Sequence, residues 1–221
     1  MLNSTDWYRR WGKRVLDVAL ATPLLLLALP VLLLGAVVLS VQNGGPWLFR
    51  QLRPGWHGRL FSLYKLQTMT TAHDAHGHLL PDAQRLPRLG RWVRATSLDE
   101  LPQLWNVLRG DLSLVGPRPL LPEYLPLYSP TQARRHLALP GLTGWAQVNG
   151  RNSISWEQKF LYDVWYVDNI SLSLDLRILF RTALRVLGAH DINAPGQATT
   201  EPFRGASSLS ATSSPDISTS S

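Results

Sequence analysis

Residues Val18–Val41 read VALATPLLLLALPVLLLGAVVLSV, a run without a charge and long enough to cross a bilayer as a helix. A cleaved signal peptide would have a shorter apolar core and a small-residue cleavage site, and neither is evident. Membrane insertion is the leading reading, but crossing conflicts with the flanks. Arg9, Arg10, Lys13 and Arg14 precede the run and Arg50, Arg53, Arg59 and Lys65 follow it, so both ends carry the positive charge normally kept on the cytoplasmic side. Pro23 and Pro30 lie inside, each unable to donate the backbone bond that the helix needs four residues back. Pro30, near the middle, is the expected bend of a helix that enters and leaves on one face. A kinked transmembrane anchor is the competing reading.

Outward from that run, 221 residues with 45% hydrophobic content suffice for one real core and not for two generous domains. The formal charge of +7 calls for an acidic partner: nucleic acid, an anionic membrane surface or a phosphorylated substrate. The absence of cysteine excludes disulfides and thiolate metal sites. Neither a GxxxxGK[ST] phosphate loop nor an HExxH metal motif occurs.

The stretch 47–69, WLFRQLRPGWHGRLFSLYKLQTM, alternates apolar and polar residues around Pro54-Gly55 and reads as a strand pair, or a strand and loop, packed near the membrane. A polar loop follows; its His73, His76 and His78 lack helical periodicity and further ligands, so a solvated loop is preferred to a metal site. Arg85, Arg88, Arg91 and Arg94 then recur at steps of three, close to one helical face. Leu101, Leu104, Trp105 and Leu108 follow the spacing of an apolar helix face that Gly110 is placed to end.

Between these two segments stand adjacent carboxylates, Asp99 and Glu100, which repel one another unless water, arginine or a divalent metal holds them. Ser97-Leu98-Asp99-Glu100 matches a capping box, yet Pro102 would then fall past the first turn. A helix start one to three residues later suits the proline and frees both side chains; capping and chemistry stay equally open from this segment. Arg118, constrained by Pro117 and Pro119, suits a guanidinium aimed at a phosphate or carboxylate, or one paired with Asp111.

Further on, the glycine-rich LALPGLTGWAQVNGRNS, 137–153, is either a ligand-approaching loop or a turn between core elements. SWEQKFLYDVWYVDN, 155–169, predicts an aromatic helix with Trp156, Phe160 and Val164 on one face. In SLSLDLRILFRTALRVLG, 171–188, Arg177, Arg181 and Arg185 recur every four residues beside Leu, Ile and Phe; it reads as a helix lying on an anionic membrane surface or as a surface helix over a core. From Gly205 the Ser-rich chain has the composition of a disordered tail.

Taken in order, KRVLDVAL…LPVLLL, LFRQLRPGWHGRLFSLYKLQTM, RATSLDELPQLWNVLRGDLSLVGPRPLLPEYLPLY, ARRHLALPGLTGWAQVNGRNSISWEQKFLYDVWYVDN and LSLDLRIL resemble the successive signatures of the bacterial sugar transferases, the small monotopic phosphoglycosyl transferases. The terminal ATTEPFRG is similar to the bacillosaminyl transferase subgroup. The resemblance implies transfer of a sugar-1-phosphate from a UDP-sugar to undecaprenyl phosphate, with UMP released. It makes Asp99 the nucleophile of a covalent aspartyl phosphosugar, Asp99 and Glu100 the catalytic and Mg2+-binding pair, and Arg94 and Arg118 phosphate contacts. It implies anionic membrane lipids rather than nucleic acid as further partners, and the cytoplasmic face of a bacterial inner membrane as the location. Where the family has Ser-Pro at its re-entrant bend, this chain has Leu29-Pro30.

The expected fold is therefore α+β and mostly helical: a basic segment and re-entrant membrane helix over 1–45, a compact catalytic domain with interfacial amphipathic helices over 46–205, and a disordered tail over 206–221. Two rival functions are a membrane-anchored lipid or nucleic-acid binder without chemistry, and a glycosyltransferase that releases UDP.

Overall fold

The computed structural model describes residues 7–150, 153–188 and 202–205. The Ser-rich tail expected over 206–221 lies outside them. A π-helical turn at Tyr8–Gly12 leads into α1, Lys13–Asn43, a single helix that contains both Pro23 and Pro30. It continues through both prolines, so the chain does not leave helical conformation at Pro30 and any bend there is a kink within one helix. A missing backbone donor removes one bond without ending a helix whose remaining bonds are sheltered from water. The helix ends at Gly44, whose φ of 62° is the left-handed conformation that closes a helix C-terminus.

At 1.5 Å per residue, α1 is about 46 Å long if straight, and both its ends are fastened to the rest of the molecule. Near its start the Arg14 guanidinium donates to the carbonyls of Val107 and Leu108 at 2.5 and 2.6 Å. One turn on, Asp17 Oδ1 accepts from Ser113 Oγ at 3.0 Å and from the Leu114 amide at 2.9 Å. At its far end Asn43 Nδ2 donates to the Gln67 carbonyl at 2.6 Å, and the fully buried Leu39 belongs to a cluster with Ala28, Leu32, Leu66 and Val93. Between these ties Leu26, Leu27, Leu33 and Leu34 stay exposed, an apolar face that water would not tolerate.

The predicted strand pair is an antiparallel hairpin: β1, Leu48–Pro54, against β2, Leu60–Leu66, with Leu48 opposite Leu66 and Pro54 opposite Leu60. The arginine stripe, by contrast, does not lie on one helix. Asp82–Arg85 is a single turn, Leu86-Pro87 is extended, and α2 spans Arg88–Ala95. Pro87 is the cause, since it disfavours helix at the residue before it and suits the position ahead of a new one. Gly90 allows α2 to approach the strand exit: a Cβ there would stand 2.2 Å from the Thr68 carbonyl oxygen.

After a 3-10 turn at Leu98–Glu100 comes α3, Gln103–Arg109, closed by Gly110 at φ 86°. Two short parallel strands follow, β3 at Ser113–Val115 and β4 at Gly141–Thr143. Their junction is tight enough that a Cβ on Gly141 would stand 2.0 Å from the Gly116 nitrogen. The helices α4, Trp145–Asn149, α5, Trp156–Asp168, and α6, Leu172–Leu187, complete the domain. Its core gathers Leu63, Val107, Leu112, Val115, Tyr166 and Ile178 around Ala21 of α1.

Buried polar side chains join the first and last helices. Asp175 is wholly buried and accepts from Tyr8 Oη at 2.6 Å, Lys13 Nζ at 2.7 Å and Tyr166 Oη at 2.7 Å. Along α6, Leu174 and Ile178 face the core, while Leu172, Leu176, Phe180 and Leu184 form an exposed apolar stripe at steps of four. Two of its three arginines turn towards α4: Arg181 reaches Asn149 Oδ1 at 3.1 Å and lies over the Trp145 ring, and Arg185 donates to the Gln147 carbonyl at 3.1 Å.

Candidate active site

The acidic pair sits in the turn between α2 and α3, and the capping reading does not hold. Ser97 has φ 57° and ψ 17°, its hydroxyl caps nothing, and α3 begins only at Gln103, after Pro102. With Pro102 at its N-cap, α3 starts later than the one to three residues expected after Leu98, and neither carboxylate caps it.

The two carboxylates have different surroundings. Glu100 Oε1 accepts from Lys65 Nζ and from Arg118 Nη2, each at 2.8 Å. Burial alone would raise the Glu100 carboxyl, but the charges and hydrogen bonds of Arg118 and Lys65 outweigh it and hold it at about 2. Asp99 is buried, with Lys65 Nζ no nearer than 3.9 Å. Desolvation, opposed by Lys65 and reinforced by the Glu100 charge, pushes its carboxyl up to about 6. Adjacent residues thus hold one fully neutralised anion and one under-neutralised anion.

The cations come from separate elements. Lys65 projects from β2. Arg94, at the end of α2, is steered by its Nε donating to Thr68 Oγ1 at 2.9 Å, and its charge acts on Asp99. Arg118 follows β3, so its pairing is with Glu100 and not with Asp111, which Arg109 engages at 3.2 Å. The loop carrying Arg118 is fixed from behind. Buried Arg135 donates through Nη2 to the Arg118 carbonyl and to Asp163 Oδ2, both at 2.7 Å. The Arg135 guanidinium also lies over the rings of Tyr128 and Phe160, 5.8 and 5.7 Å from their centroids.

The structure therefore brings together all four residues singled out in the sequence and adds others. Lys65 was visible only as a flanking charge, and no spacing connects Arg135 with Asp163. Arg53 is a further cation: burial and the neighbouring Arg118 charge lower its guanidinium pKa, and its Nε has no hydrogen-bond partner among the described residues. Beside this basic region Tyr124, Tyr128, Trp156 and Phe160 pack around Phe203, which is buried and whose amide donates to Tyr124 Oη at 3.3 Å. The exposed His73, His76 and His78 stand apart from these residues, in a loop where Asp74 accepts from the amides of His76 and His78.

A buried carboxylate left partly unneutralised, near several cations and a long apolar helix, can attack or bind an anionic electrophile such as a phosphate ester. The family model of the bacterial sugar transferases matches residues 8–189, and the chain belongs to that family. It is 54% identical over 198 residues to the uncharacterized sugar transferase EpsL of Bacillus subtilis (strain 168), a match covering 90% of this chain and 98% of that one. It is 45% identical over 187 residues to a UDP-glucose:undecaprenyl-phosphate glucose-1-phosphate transferase of Caulobacter vibrioides, covering 79% of this chain and 69% of that one. Against an undecaprenyl-phosphate galactose phosphotransferase of Salmonella typhimurium the identity is 37% over 195 residues, 80% of this chain and 41% of the longer relative.

Proposed function

We infer that this phosphoglycosyl transferase moves a sugar-1-phosphate from a UDP-sugar to undecaprenyl phosphate and releases UMP, through a covalent aspartyl phosphosugar on Asp99. The observation that carries the reading is the division within the acidic pair. Glu100 is committed to Lys65 and Arg118, whereas Asp99 is buried, raised to about 6 and accepts no hydrogen bond from Lys65, whose Nζ stands 3.9 Å away. A nucleophile needs a free electron pair and a site where the anionic substrate's own charge is neutralised by others.

In the first step an Asp99 oxygen attacks the phosphorus that bears the sugar. The bond from that phosphorus to the bridging diphosphate oxygen breaks, and UMP departs with the electron pair. In the second step a phosphate oxygen of undecaprenyl phosphate attacks the same phosphorus, which restores Asp99 and gives the diphosphate-linked sugar. Arg94 and Arg118 contact the donor phosphates, and Glu100 holds Lys65 and Arg118 in place.

The pair also fits Mg2+, which takes one or two carboxylates and completes its shell with substrate phosphates. Asp99, and the Glu100 oxygen that Lys65 and Arg118 leave unused, would hold it. When bound, Mg2+ would supply neutralisation of the diphosphate charge.

This reading seats the chain on the cytoplasmic face of the inner membrane. Both ends of α1 fasten to one domain, which supports a helix that enters and leaves on the same face, with its bend at Pro30. The exposed stripe Leu172, Leu176, Phe180 and Leu184 would lie in the interface, where Arg177 meets anionic lipid. The relatives' names differ in their sugar, and the terminal likeness to bacillosaminyl transferases adds an N-acetylated deoxyamino donor to the candidates.

The test is UMP release from a panel of UDP-sugars by membrane-embedded protein with undecaprenyl phosphate and Mg2+, beside Asp99→Asn. UMP from one donor, abolished in the variant, is expected. UDP in its place would make the chain an ordinary glycosyltransferase, and no nucleotide from any donor would leave lipid binding.

A further inference from the structure

An open apolar groove of about 780 Å3 runs between the second half of α1 and the hairpin and ends at the start of α3. Leu33 and Val37 form its helix wall, Trp47 and Trp105 face them, and Pro102 lies at the α3 end. Its size falls within the range of about 300–1,000 Å3 of clefts that bury a small ligand. We propose that this groove seats the polyprenyl tail of the acceptor lipid and delivers its phosphate to the dyad, an inference that rests on the transferase reading above.

Three observations select this occupant. The helix wall belongs to the uncharged face of α1, with Leu33 and Val37 65% and 63% exposed, so whatever fills the groove enters from hydrocarbon. The groove also ends close to the chemistry along the chain. Pro102 stands two residues after Glu100, and Tyr64 in the hairpin wall is followed by Lys65, whose side chain leaves the other face of the strand to reach Glu100 at 2.8 Å and approach Asp99 at 3.9 Å. Since successive Cα atoms are about 3.8 Å apart, the Cα atoms of Pro102 and Glu100 are within about 7.6 Å, a gap that the phosphate of a tail leaving the groove at Pro102 would span to reach the acidic pair.

The third observation is charge. Arg50 is the one cation among the described residues lining the groove, and its guanidinium lies over the Tyr64 ring, 5.7 Å from the centroid. An apolar trough with one guanidinium at its wall matches a single long hydrocarbon ending in a phosphate. A phospholipid, with two chains and a bulky headgroup, would leave one chain outside.

The experiment uses the full chain in nanodiscs of fixed phospholipid composition. Undecaprenyl phosphate analogues carrying a diazirine at successive positions along the isoprene chain are photolysed, and the labelled peptides are read by mass spectrometry. Labels on Leu33, Val37 and Trp105, competed by undecaprenyl phosphate and not by excess phospholipid, are expected. Labels on Leu27 and Leu34, which are exposed on α1 outside the groove, or labels that phospholipid competes away, would overturn the proposal.

A second measurement fills the groove with Val37→Trp. The KM for undecaprenyl phosphate should rise about tenfold while that for a geranyl phosphate acceptor, too short to use the groove's length, changes little. An equal rise for both acceptors, or none for either, would count against the groove. Labelling reads occupancy without turnover, so misplaced labels on a protein that still releases UMP sink only the groove. No UMP from any donor sinks the transferase reading itself.

Discussion

At the scale of single residues the unusual group is Asp99. Its carboxyl, pushed up to about 6 by burial and by Glu100, lies close to the working range, and in the proposed mechanism only the ionised form would attack phosphorus. The acid limb of the rate at limiting donor should therefore lie at or below about 6, since Mg2+ held by Asp99 would lower it from the metal-free value, whereas Glu100, held at about 2, stays ionised throughout. Glu100→Gln removes one cause of the rise and frees Lys65 and Arg118 to act on Asp99, so the acid limb of kcat/KM should move to lower pH. An unmoved limb would show that another group titrates there.

The same shift makes a stability prediction. The folded pKa of Asp99 lies above its unfolded value of about 4, so the fold favours the neutral form; that contribution is full below about pH 4 and lost as pH rises through about 6. Asp99→Asn keeps the neutral shape at every pH. It should abolish turnover yet stabilise the protein by about 2 kcal/mol at pH 8, and by almost nothing at pH 4. Denaturation at the two pH values checks it. A variant destabilised at pH 8 would mean that Asp99 is held by interactions stronger than its desolvation.

At the scale of elements, the site is an assembly of ends: the end of α2, the turn before α3, the exit of β3 and the last residues of β2. The sequence made several of these legible because their causes are local. Alternation around Pro54-Gly55 gave the hairpin, and Pro102 gave a delayed start of α3, although the helix begins later still than the one to three residues expected. The arginine stripe was misread because a period of three counts residues and overlooks Pro87, which interrupts the helix between Arg85 and Arg88. The closure of the site was not legible at all. Lys65 meets Glu100 across 35 residues and Arg135 meets Asp163 across 28, and nothing in the spacing of either pair announces contact.

That last pair yields a prediction. Arg135 is 3% exposed, and removing it leaves Asp163 buried without its cation and the Arg118 carbonyl without its donor. Arg135→Ala should cost about 3–5 kcal/mol, the usual penalty for breaking a buried ion pair. Arg135→Lys keeps the charge but loses the fork that reaches both acceptors, so it should stay folded and raise the donor KM as Arg118 loosens. An unchanged donor KM in folded Arg135→Lys would detach this pair from substrate binding.

For the whole molecule the deciding fact is that a helix long enough to cross a bilayer is fastened at both ends to one domain. Arg14 and Asp17 grip α3 and β3, and Asn43 grips the strand exit at Gln67. A helix crossing straight through the membrane would carry Asn43 to the far side and break its bond to Gln67. It would also pull Leu39 out of contact with Leu66 and Val93. It would, in addition, place the positive flanks on opposite sides, against the usual distribution. The chain contains no cysteine, so single cysteines introduced at the exposed positions Arg10 and Gln42 report the sidedness of each end without background. In right-side-out cells both should resist a membrane-impermeant maleimide, and both should react in inverted vesicles. Labelling of Gln42→Cys from outside while Arg10→Cys stays protected would establish a spanning helix. The contacts of Asn43 and Leu39 would then have to be abandoned, along with the common face on which donor, dyad and acceptor lipid meet.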